Sequence, residues 1–518
     1  MRSSLTLTTS IAIASVLALS ATDASAQAKL TRSGGVLGTS LTFALDGAPF
    51  DLYALLPSTT TGPIPLAILD PLDPRSLDVG LDMLSTLVIG GMDGSGQGSV
   101  TFPLPAAPAL SGVAIYTQMM TLPGAGTLVD EISNRVDFAL GLKGDTHLSL
   151  GNLPIANVGF GSVLLDDGRV LLGGGAEDNG AGLTVATGNL RIFNPQTQAF
   201  EDLASSLTFG TVTPSATKLA DGRVLFAGGL DAAGVVLGAA SIFDPASGLT
   251  SAAANMPGPR AQHTATLLND GRVFLCGGVK AVNTADPIAG LGDILKTSVI
   301  YNPANNTWSS AASLPLPRIG HAASLLPSGK VLLSGGLEIG NLFGIPLPSI
   351  VNTCRRFDPV GGSMQSTASF SGDRALHGQL TLSDGRVLVA GGADGDVLTQ
   401  NFFSLATCSV YSEPTNSWSN VPNLQEVRSF PSLVEVAGRV HVISGVGTID
   451  LSTLSGSPVA SIASGDTTTF NWAPAGTMVY PRALSSSIAI EGGERIVTLG
   501  TGDNGVPSID LSAEVYIP

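Results

Sequence analysis

Residues 270–278 read DGRVFLCGG, and this phrase recurs along the chain at a nearly constant interval. Each copy contains a short turn, a basic residue, an apolar run and terminal glycine. The spacing between successive basic residues is 54, 49, 58, 56, 53 and 56. A period near 50 residues is typical of propellers and solenoids, so we predict one repeat array here. The basic residues that define repeats 1 to 7 are Arg169, Arg223, Arg272, Lys330, Arg386, Arg439 and Arg495.

Repeat 3 shows how one period divides into strands. An alternating segment follows Pro257, the Asp270-Gly271 turn closes a hairpin, and the apolar run is a second strand. A third strand ends at Pro303 and a fourth carries Trp308. Four short strands separated by turn signals predict one propeller blade per period.

The other repeats keep the same landmarks. Third strands end in a proline after an aromatic residue. Fourth strands carry one bulky side chain, which we expect to wedge between blades; these are Phe200, Leu249, Trp308, Met364 and Trp418. The glycine pairs after the second strands are Gly174, Gly175, Gly228, Gly229, Gly277, Gly278, Gly335, Gly336, Gly391 and Gly392.

Taken together, the Gly-Gly strand end, the aromatic residue with Asp/Asn-Pro and the Asn-x-Trp segment resemble the kelch repeat. The resemblance covers residues 145–518 and is clearest at Asn306-Thr307-Trp308 and Asn416-Ser417-Trp418. It implies an all-β fold, a kelch-type β-propeller whose blades surround a channel.

Repeat 7 reaches only a third strand at Pro518, whereas residues 146–158 resemble the fourth-strand segment 307–319. We therefore expect strand 146–158 to complete the C-terminal blade and close the ring, which removes open sheet edges. This predicts seven blades, with six as the alternative if repeat 7 is too degenerate to pair.

The N-terminal residues 1–26 have the pattern of a signal peptide. Met1-Arg2 precedes an apolar core from Ile11 to Leu19, and Ala24-Ser25-Ala26 is a small-residue cleavage site. We expect a secreted chain, extracellular or periplasmic, cleaved near Ala26. No later apolar stretch reaches the roughly 18–20 residues of a spanning helix, so no transmembrane segment is predicted.

Residues 27–142 contain no copy of the repeat. Six short alternating segments, separated by Gly, Pro and Asp turns, predict a small β-sandwich. An acidic stretch within it could hold calcium through carboxylates, although its spacing matches no calcium loop. Its acidic residues are Asp70, Asp73, Asp78 and Asp82.

The net charge of −16 disfavours nucleic acid and anionic lipid as partners, because phosphate binding draws on clustered Lys and Arg. The three cysteines are Cys276, Cys354 and Cys408. The last two occupy the same position in neighbouring repeats, so a disulfide between them is disfavoured. We expect all three to be small buried residues in strands.

An Arg-x-x-His pair precedes or begins three first strands, and Arg428 and Arg482 continue the series without the histidine. The three histidines could form a metal or anion site at one end of the channel. Alternatively, Arg and His bind backbone carbonyls of the blade-connecting loops, which we favour because the spacing between blades exceeds zinc–ligand distances. The pairs are Arg260/His263, Arg318/His321 and Arg374/His377.

Galactose oxidase is the enzymatic precedent with kelch-type blades, and that resemblance implies copper held by two Tyr and two His, with a Tyr–Cys cross-link. Three of the propeller tyrosines, Tyr301, Tyr411 and Tyr516, are accounted for as third-strand aromatics, and Tyr480 matches no oxidase motif. No catalytic residue can be assigned.

The sequence therefore favours a secreted, non-enzymatic, monomeric binding or scaffold protein that recognises a protein or glycan without a cofactor. The alternative is a copper-dependent oxidase or another carbohydrate-active enzyme on the same ring. Long connections tend to be functional, so they are the predicted contact loops. They are Ala281–Leu295, Glu338–Asn352, Ala393–Leu405 and Ile449–Thr469.

Overall fold

The computed structural model describes residues 28–122, 127–153, 157–178, 183–282, 290–343, 345–399, 401–450, 455–503, 509–510 and 513–518. The chain forms two compact units, one ending at Leu140 and one formed by Gly141–Pro518; Ala106–Gly112 belong to the second. The all-β class is confirmed. Short 3-10 turns occur at Leu66–Ile68, Leu84–Thr86, Pro108–Leu110, Leu291–Asp293 and Glu491–Gly493.

The first unit contains two main antiparallel sheets and one extra hairpin. One sheet consists of Lys29–Gly34, Ser40–Asp46 and Gln97–Pro103 in spatial order. The other consists of Val88–Gly91, Leu52–Ser58, Ala114–Leu122 and Val136–Ala139. The hairpin pairs Thr61–Pro65 with Ser76–Val79.

Alternating apolar residues hold these two sheets together. The ring of Phe43 lies 6.3 Å from the ring of Phe138 in the other sheet, and both side chains are fully buried. The six predicted segments each contain a strand. The sequence missed three strands, namely Lys29–Gly34, Thr61–Pro65 and Ser76–Val79.

The second unit contains five separate four-stranded antiparallel sheets, one for each of repeats 1 to 5. In first-to-fourth order, repeat 1 has Gly161–Leu164, Val170–Gly173, Asn189–Asn194 and Ala199–Ser206; repeat 2 has Ser215–Lys218, Val224–Ala227, Ala240–Asp244 and Leu249–Ala252; repeat 3 has Thr264–Leu267, Val273–Cys276, Ser298–Asn302 and Thr307–Ala311; repeat 4 has Ala322–Leu325, Val331–Ser334, Cys354–Asp358 and Ser363–Thr367; repeat 5 has Gly378–Thr381, Val387–Ala390, Cys408–Ser412 and Ser417–Val421.

Repeats 6 and 7 share one longer sheet. Ala473–Ile490 runs through both, because its first part pairs with the strand Ser455–Asp466 and its second part with Arg495–Asp503. The remaining strands of this sheet are Ser432–Val436, Arg439–Ile443, Val446–Asp450, Ile509–Asp510, Glu514–Tyr516 and Thr146–Leu148.

The first strands of consecutive repeats contact each other in order, and the first strand of repeat 1 contacts Ala473–Ile490. The repeats therefore form a closed ring, and the propeller fold is confirmed. The order of contacts favours seven blades over six, and the blade count stays a prediction.

The predicted closing strand 146–158 is shorter in the structure. Only Thr146–Leu148 pairs with Glu514–Tyr516. The Ser149 hydroxyl then donates to the carbonyl of Gly151 in a bend, which ends the strand. Asn157–Val158 pairs instead with Ala176–Asp178 of repeat 1.

The propeller core lies between adjacent repeats. Second strands are buried throughout, as in Val273–Cys276, and the ring of Phe274 in repeat 3 stacks on that of Phe357 in repeat 4 at 4.1 Å. Cys276, Cys354 and Cys408 are buried and unbridged, as the sequence predicted.

The predicted wedge position is wrong for Leu249, whose side chain is 66% exposed. Leu249 lies opposite Asp244, whereas Thr250 lies opposite the third-strand aromatic Phe243, so Leu249 is one residue out of register and points to the other face of the sheet. Trp308 and Trp418 lie opposite Tyr301 and Tyr411 and pack against the buried clusters at their seams.

Candidate functional site

The two ends of the propeller differ in the connections that they carry. In a four-stranded antiparallel blade, the links from second to third strand and from fourth strand to the next blade lie at one end. The glycine pairs end the second strands, so we name this end the glycine-pair face. The Asp-Gly turns lie at the opposite face.

The connections predicted as contact loops contain β-structure, which corrects the sequence interpretation. In repeat 4, Leu337–Leu342 pairs with Ile345–Ile350, and in repeat 5, Ala393–Asp396 pairs with Asn401–Ser404. In repeat 6, Val446–Asp450 pairs with Ser455–Asp466. These accessory hairpins satisfy their own backbone groups, so they form firm walls. Residues 283–289 of the repeat 3 connection lie outside the described part.

The predicted glycine pairs shape the backbone on this face. All ten glycines have positive φ, for example 64° at Gly277 and 88° at Gly278. A Cβ on Gly278 would lie 2.4 Å from the carbonyl oxygen of Ala261, which is a clash. Glycine is therefore needed where the chain passes close to the linker that leads into the first strand of the same repeat.

The arginines of the Arg-x-x-His pairs are structural. Arg374 Nη1 donates to the carbonyl oxygens of Gly391 and Thr407, each at 3.0 Å, and Nη2 donates to the Thr407 hydroxyl. Arg260 and Arg318 make the equivalent contacts. These guanidinium groups are almost completely buried and join the end of a second strand to the start of a third.

The histidine Nε2 atoms have hydroxyl partners in the preceding repeat, which the sequence analysis did not predict. His263 Nε2 lies 2.9 Å from Ser215 Oγ, His321 Nε2 lies 3.1 Å from Thr264 Oγ1, and these partners belong to the preceding repeats. Burial lowers the pKa of both histidines to about 3. Both rings are therefore neutral at physiological pH and tie neighbouring repeats together.

His377 repeats the arrangement, with Nε2 2.9 Å from the Ser334 hydroxyl and with burial lowering its pKa well below 6.5. Within the described ranges, no group of three or more His, Cys, Asp and Glu side chains is placed to hold a metal ion. These residues therefore do not form the metal site that the alternative interpretation required.

The donor set of a copper oxidase does not fit the described residues either. The phenol of Tyr301 donates to Asn306 Oδ1 at 2.9 Å, and that of Tyr411 donates to Asn416 Oδ1 at 3.0 Å. Burial raises the pKa of the Cys276 thiol to about 11. These tyrosines and this cysteine therefore have structural roles in the strands that contain them.

The acidic stretch of the first unit is divided among separate contacts. Asp73 forms a 2.8 Å ion pair with Arg75. Asp82 accepts hydrogen bonds from the hydroxyls of Ser58 and Thr59, which hold the pKa of its carboxyl well below the usual range. The described residues do not gather these acids into a calcium site.

A cleft of about 1190 Å³ opens on the first unit. Lys29, Arg75 and Arg135 line it together with Asp78 and Glu131. Arg75 and Arg135 are already paired with carboxylates two residues away. The described lining of the cleft therefore has mixed charge and does not indicate a particular class of ligand.

The sequence interpretation missed a set of residues two places after each buried arginine or its equivalent. All have φ between 51° and 66°, a conformation that costs free energy for residues other than glycine. The Thr213 amide donates to the Gly159 carbonyl at 2.6 Å, and the Phe430 amide to the Leu376 carbonyl at 2.7 Å. We name this set the collar; it consists of Gly159, Thr213, Gln262, Gly320, Leu376, Phe430 and Leu484.

The collar precedes the innermost strands, and its hydrogen bonds link neighbouring repeats, so it surrounds the end of the channel. Its side chains are apolar in repeats 5 to 7, where Phe430 is 38% and Leu484 is 66% exposed. Aligning the repeats on the buried arginine would have revealed this position.

A separate apolar pocket of about 220 Å³ lies between the accessory hairpins of repeats 4 and 5. It lies next to the collar, since Gly320 and Leu376 belong to both. Its lining includes Ile319, Leu337, Ile350, Ala393 and Phe402. The described glycine-pair face therefore combines firm walls, strained backbone and exposed apolar surface.

No protein-family model matches the chain. Alpha-scruin of Limulus polyphemus is 25% identical over 166 residues, which are 32% of this chain and 18% of that protein. Kelch-like protein 40 of Mus musculus is 27% identical over 158 residues, which are 30% of this chain and 23% of that protein. The matched part thus spans less than a quarter of either relative.

Among solved structures, a fungal alcohol oxidase of the AA5 family in complex with copper matches 73% of this chain and 76% of that chain. The TM-score is 0.55 and the identity 16%, so this likeness concerns the fold alone. The structure of YjhT matches 63% of this chain and 99% of that chain with a TM-score of 0.46 and 14% identity. The repeated part of this chain is a β-propeller, and its sequence is similar to kelch-repeat proteins over about a third of the chain.

Proposed function

We propose that this chain is a binding protein whose propeller takes a partner protein on the glycine-pair face. The observation that carries the proposal is the exposed apolar surface of that face. Phe343 is 96%, Leu347 47% and Leu484 66% exposed. Exposed apolar surface is typical of interaction sites, and these large side chains lie on the same face of the ring.

The proposal favours a protein over a glycan. Glycan sites combine exposed aromatic platforms with converging polar groups. On this face Trp is absent from the described collar and hairpins, and the buried arginines already bind backbone carbonyls. A surface of exposed Phe and Leu side chains is better suited to apolar side chains of a protein.

The same proposal includes secretion after cleavage near Ala26. It rests on the sequence Met1-Arg2, the apolar core and the Ala24-Ser25-Ala26 site. N-terminal sequencing of the protein recovered from the producing cell's exterior or periplasm would test it. A mature N-terminus at Gln27 is expected, and recovery of the intact N-terminus inside the cell would contradict it.

Phage selection of random peptides on the immobilised chain tests the binding face. We expect selected peptides to bind at least about tenfold more weakly to Phe430→Ser and Leu484→Ser, because each change removes exposed apolar contact area. Val360→Ser is the matched control, since Val360 is 97% exposed on the opposite face. Failure to select any peptide, or equal loss with the control, would contradict the proposed face.

A further inference from the structure

Accessory β-structure of repeats 4 and 5 forms two walls of the pocket between these repeats. Ile319 and Leu337 belong to the accessory sheet of repeat 4, and Ala393 and Phe402 belong to the accessory hairpin of repeat 5. Ala393 is buried and Phe402 is half-buried. The volume of about 220 Å³ is below the roughly 300–1,000 Å³ of pockets for drug-sized ligands, so it suits one side chain.

The register of the repeat 5 hairpin decides which phenylalanine contributes to this pocket. Asp394 lies opposite Phe403, and Gly395 lies opposite Phe402. Successive side chains of a strand point to opposite faces, so Phe402 lines the pocket and Phe403 points away. Phe403 is 52% exposed.

Two acidic side chains lie beside the parts of the pocket that repeats 4 and 5 contribute. Asp373 precedes the buried Arg374 in the linker, and Asp396 adjoins the lining residue Val397; both acids are exposed. Burial and the neighbouring carboxylate of Asp394 raise the pKa of Asp373. The carboxylates of Asp373 and Asp394 are therefore close enough to repel each other. The described linkers and hairpins of repeats 4 and 5 contain no exposed Lys or Arg, because Arg318 and Arg374 are buried.

We propose that this pocket receives one aliphatic or aromatic side chain from a partner segment that carries Lys or Arg beside it. The proposal rests on the proposed function and names the chemistry of its partner. The apolar side chain is withdrawn from water between the two hairpins, and the flanking cation lies near Asp373 and Asp396. Electrostatic complementarity of this kind favours cationic partners and disfavours anionic ones.

Fluorescein-labelled heptapeptides provide the test, measured by fluorescence anisotropy with the full chain. The central tripeptides are Lys-Phe-Lys, Lys-Ser-Lys and Glu-Phe-Glu, each between Gly-Ser flanks. We expect Lys-Phe-Lys to bind at least about tenfold more tightly than either other peptide, because the others lose the buried ring or the charge match.

Three variants test the pocket separately from the rest of the glycine-pair face. Phe402→Ser is expected to weaken Lys-Phe-Lys binding about tenfold. Phe403→Ser, on the same hairpin but facing away, is expected to change it less than about twofold. Asp396→Asn keeps a side-chain acceptor for the amides of Leu398 and Thr399 and removes the charge, so it should reduce the preference for Lys-Phe-Lys over Glu-Phe-Glu.

Equal binding of the three peptides, equal effects of Phe402→Ser and Phe403→Ser, or no binding of Lys-Phe-Lys would overturn the pocket proposal. In those cases the proposed function would still hold if the phage-selected peptides bound more weakly to Phe430→Ser and Leu484→Ser than to wild type. Equal binding of the phage-selected peptides to wild type and to these two variants would instead overturn the proposed function itself.

Discussion

The indole nitrogen of Trp308 donates a hydrogen bond to the carbonyl oxygen of Ala254 at 2.6 Å, across the seam between repeats 2 and 3. The same bond recurs from Trp418 to Ala368 at 2.9 Å and from Trp472 to Pro422 at 2.8 Å. The third tryptophan extends the motif to repeat 6, where the sequence interpretation had not recognised it. Each indole fixes two neighbouring blades to each other.

Trp308→Phe should therefore lower the free energy of unfolding by about 1–3 kcal/mol, because the Ala254 carbonyl loses its donor. Thermal unfolding followed by circular dichroism measures the change. Leu249→Ala, on the fourth strand of repeat 2 and 66% exposed, is the control and should stay within about 0.5 kcal/mol of wild type. Equal midpoints for the Trp308 variant and wild type would contradict the role of the bond.

Arg374→Met should destabilise the propeller by on the order of 3 kcal/mol, since two buried carbonyls and the Thr407 hydroxyl lose a charged donor. Lysine lacks the planar fork, so Arg374→Lys should restore little of the loss. Denaturant midpoints of the two variants give the comparison. Arg169→Met, in an exposed turn, is the control for loss of a positive charge.

The buried histidines make stability fall with acid. Burial lowers the pKa of His321 from 6.5 to about 3 in the folded chain, so below pH 6.5 only the unfolded chain gains the proton. The free energy of unfolding should drop by about 1.4 kcal/mol per pH unit for each such histidine. That contribution is present above pH 6.5 and is lost progressively towards pH 3.

A pH series of thermal midpoints from 7.5 to 4.5, run for wild type and His321→Gln, isolates this effect. The variant is expected to be less stable at pH 7.5 yet to lose stability less steeply with acid, because glutamine does not titrate. Carboxylates titrate equally in both chains and cancel in the difference. Parallel curves for the two chains would show that His321 is not held neutral by the fold.

The thiols should be inert in the folded chain. Burial raises the pKa of Cys354 to about 12 and that of Cys408 to about 11, and the thiolate is the reactive form. A colorimetric disulfide reagent at pH 8 should label no cysteine in native protein and all three in guanidinium. Fast native labelling of Cys276 would contradict the burial of that strand.

Copper should bind without the stoichiometry or covalent change of an oxidase. The phenols of Tyr301 and Tyr411 are already bonded to Asn306 and Asn416, and the thiols are buried in strands. Metal analysis after incubation with copper, followed by intact mass, is the measurement. Stoichiometric copper with a mass two hydrogens light would indicate a Tyr–Cys cross-link and would overturn the binding proposal.

The sequence analysis predicted the strands of the propeller because each one is specified locally. Alternation, the Asp270-Gly271 turn and the Gly277-Gly278 pair act over a few residues, and the period then repeats them. The secondary structure of residues outside the repeated pattern was harder to predict. Leu337–Leu342 and Ile345–Ile350 looked like a loop because the other repeats provided no copy to compare.

The candidate site could be predicted only in part. The Arg-x-x-His pairs were visible in the sequence, yet their contacts depend on strands that are far apart along the chain. Leu376 and Phe430 have ordinary side chains, and only their positive φ and their bond to each other assign them to the collar.

The sequence by itself determined the all-β class, the repeat and the positions of turns and glycine pairs, because hydrophobic alternation and turn chemistry are properties of neighbouring residues. The tertiary structure decided that Thr146–Leu148 alone pairs with Glu514–Tyr516 and that Phe402 lines a pocket while Phe403 does not. Such facts depend on register and on which repeats become neighbours in the ring. Both are fixed only when distant strands pack.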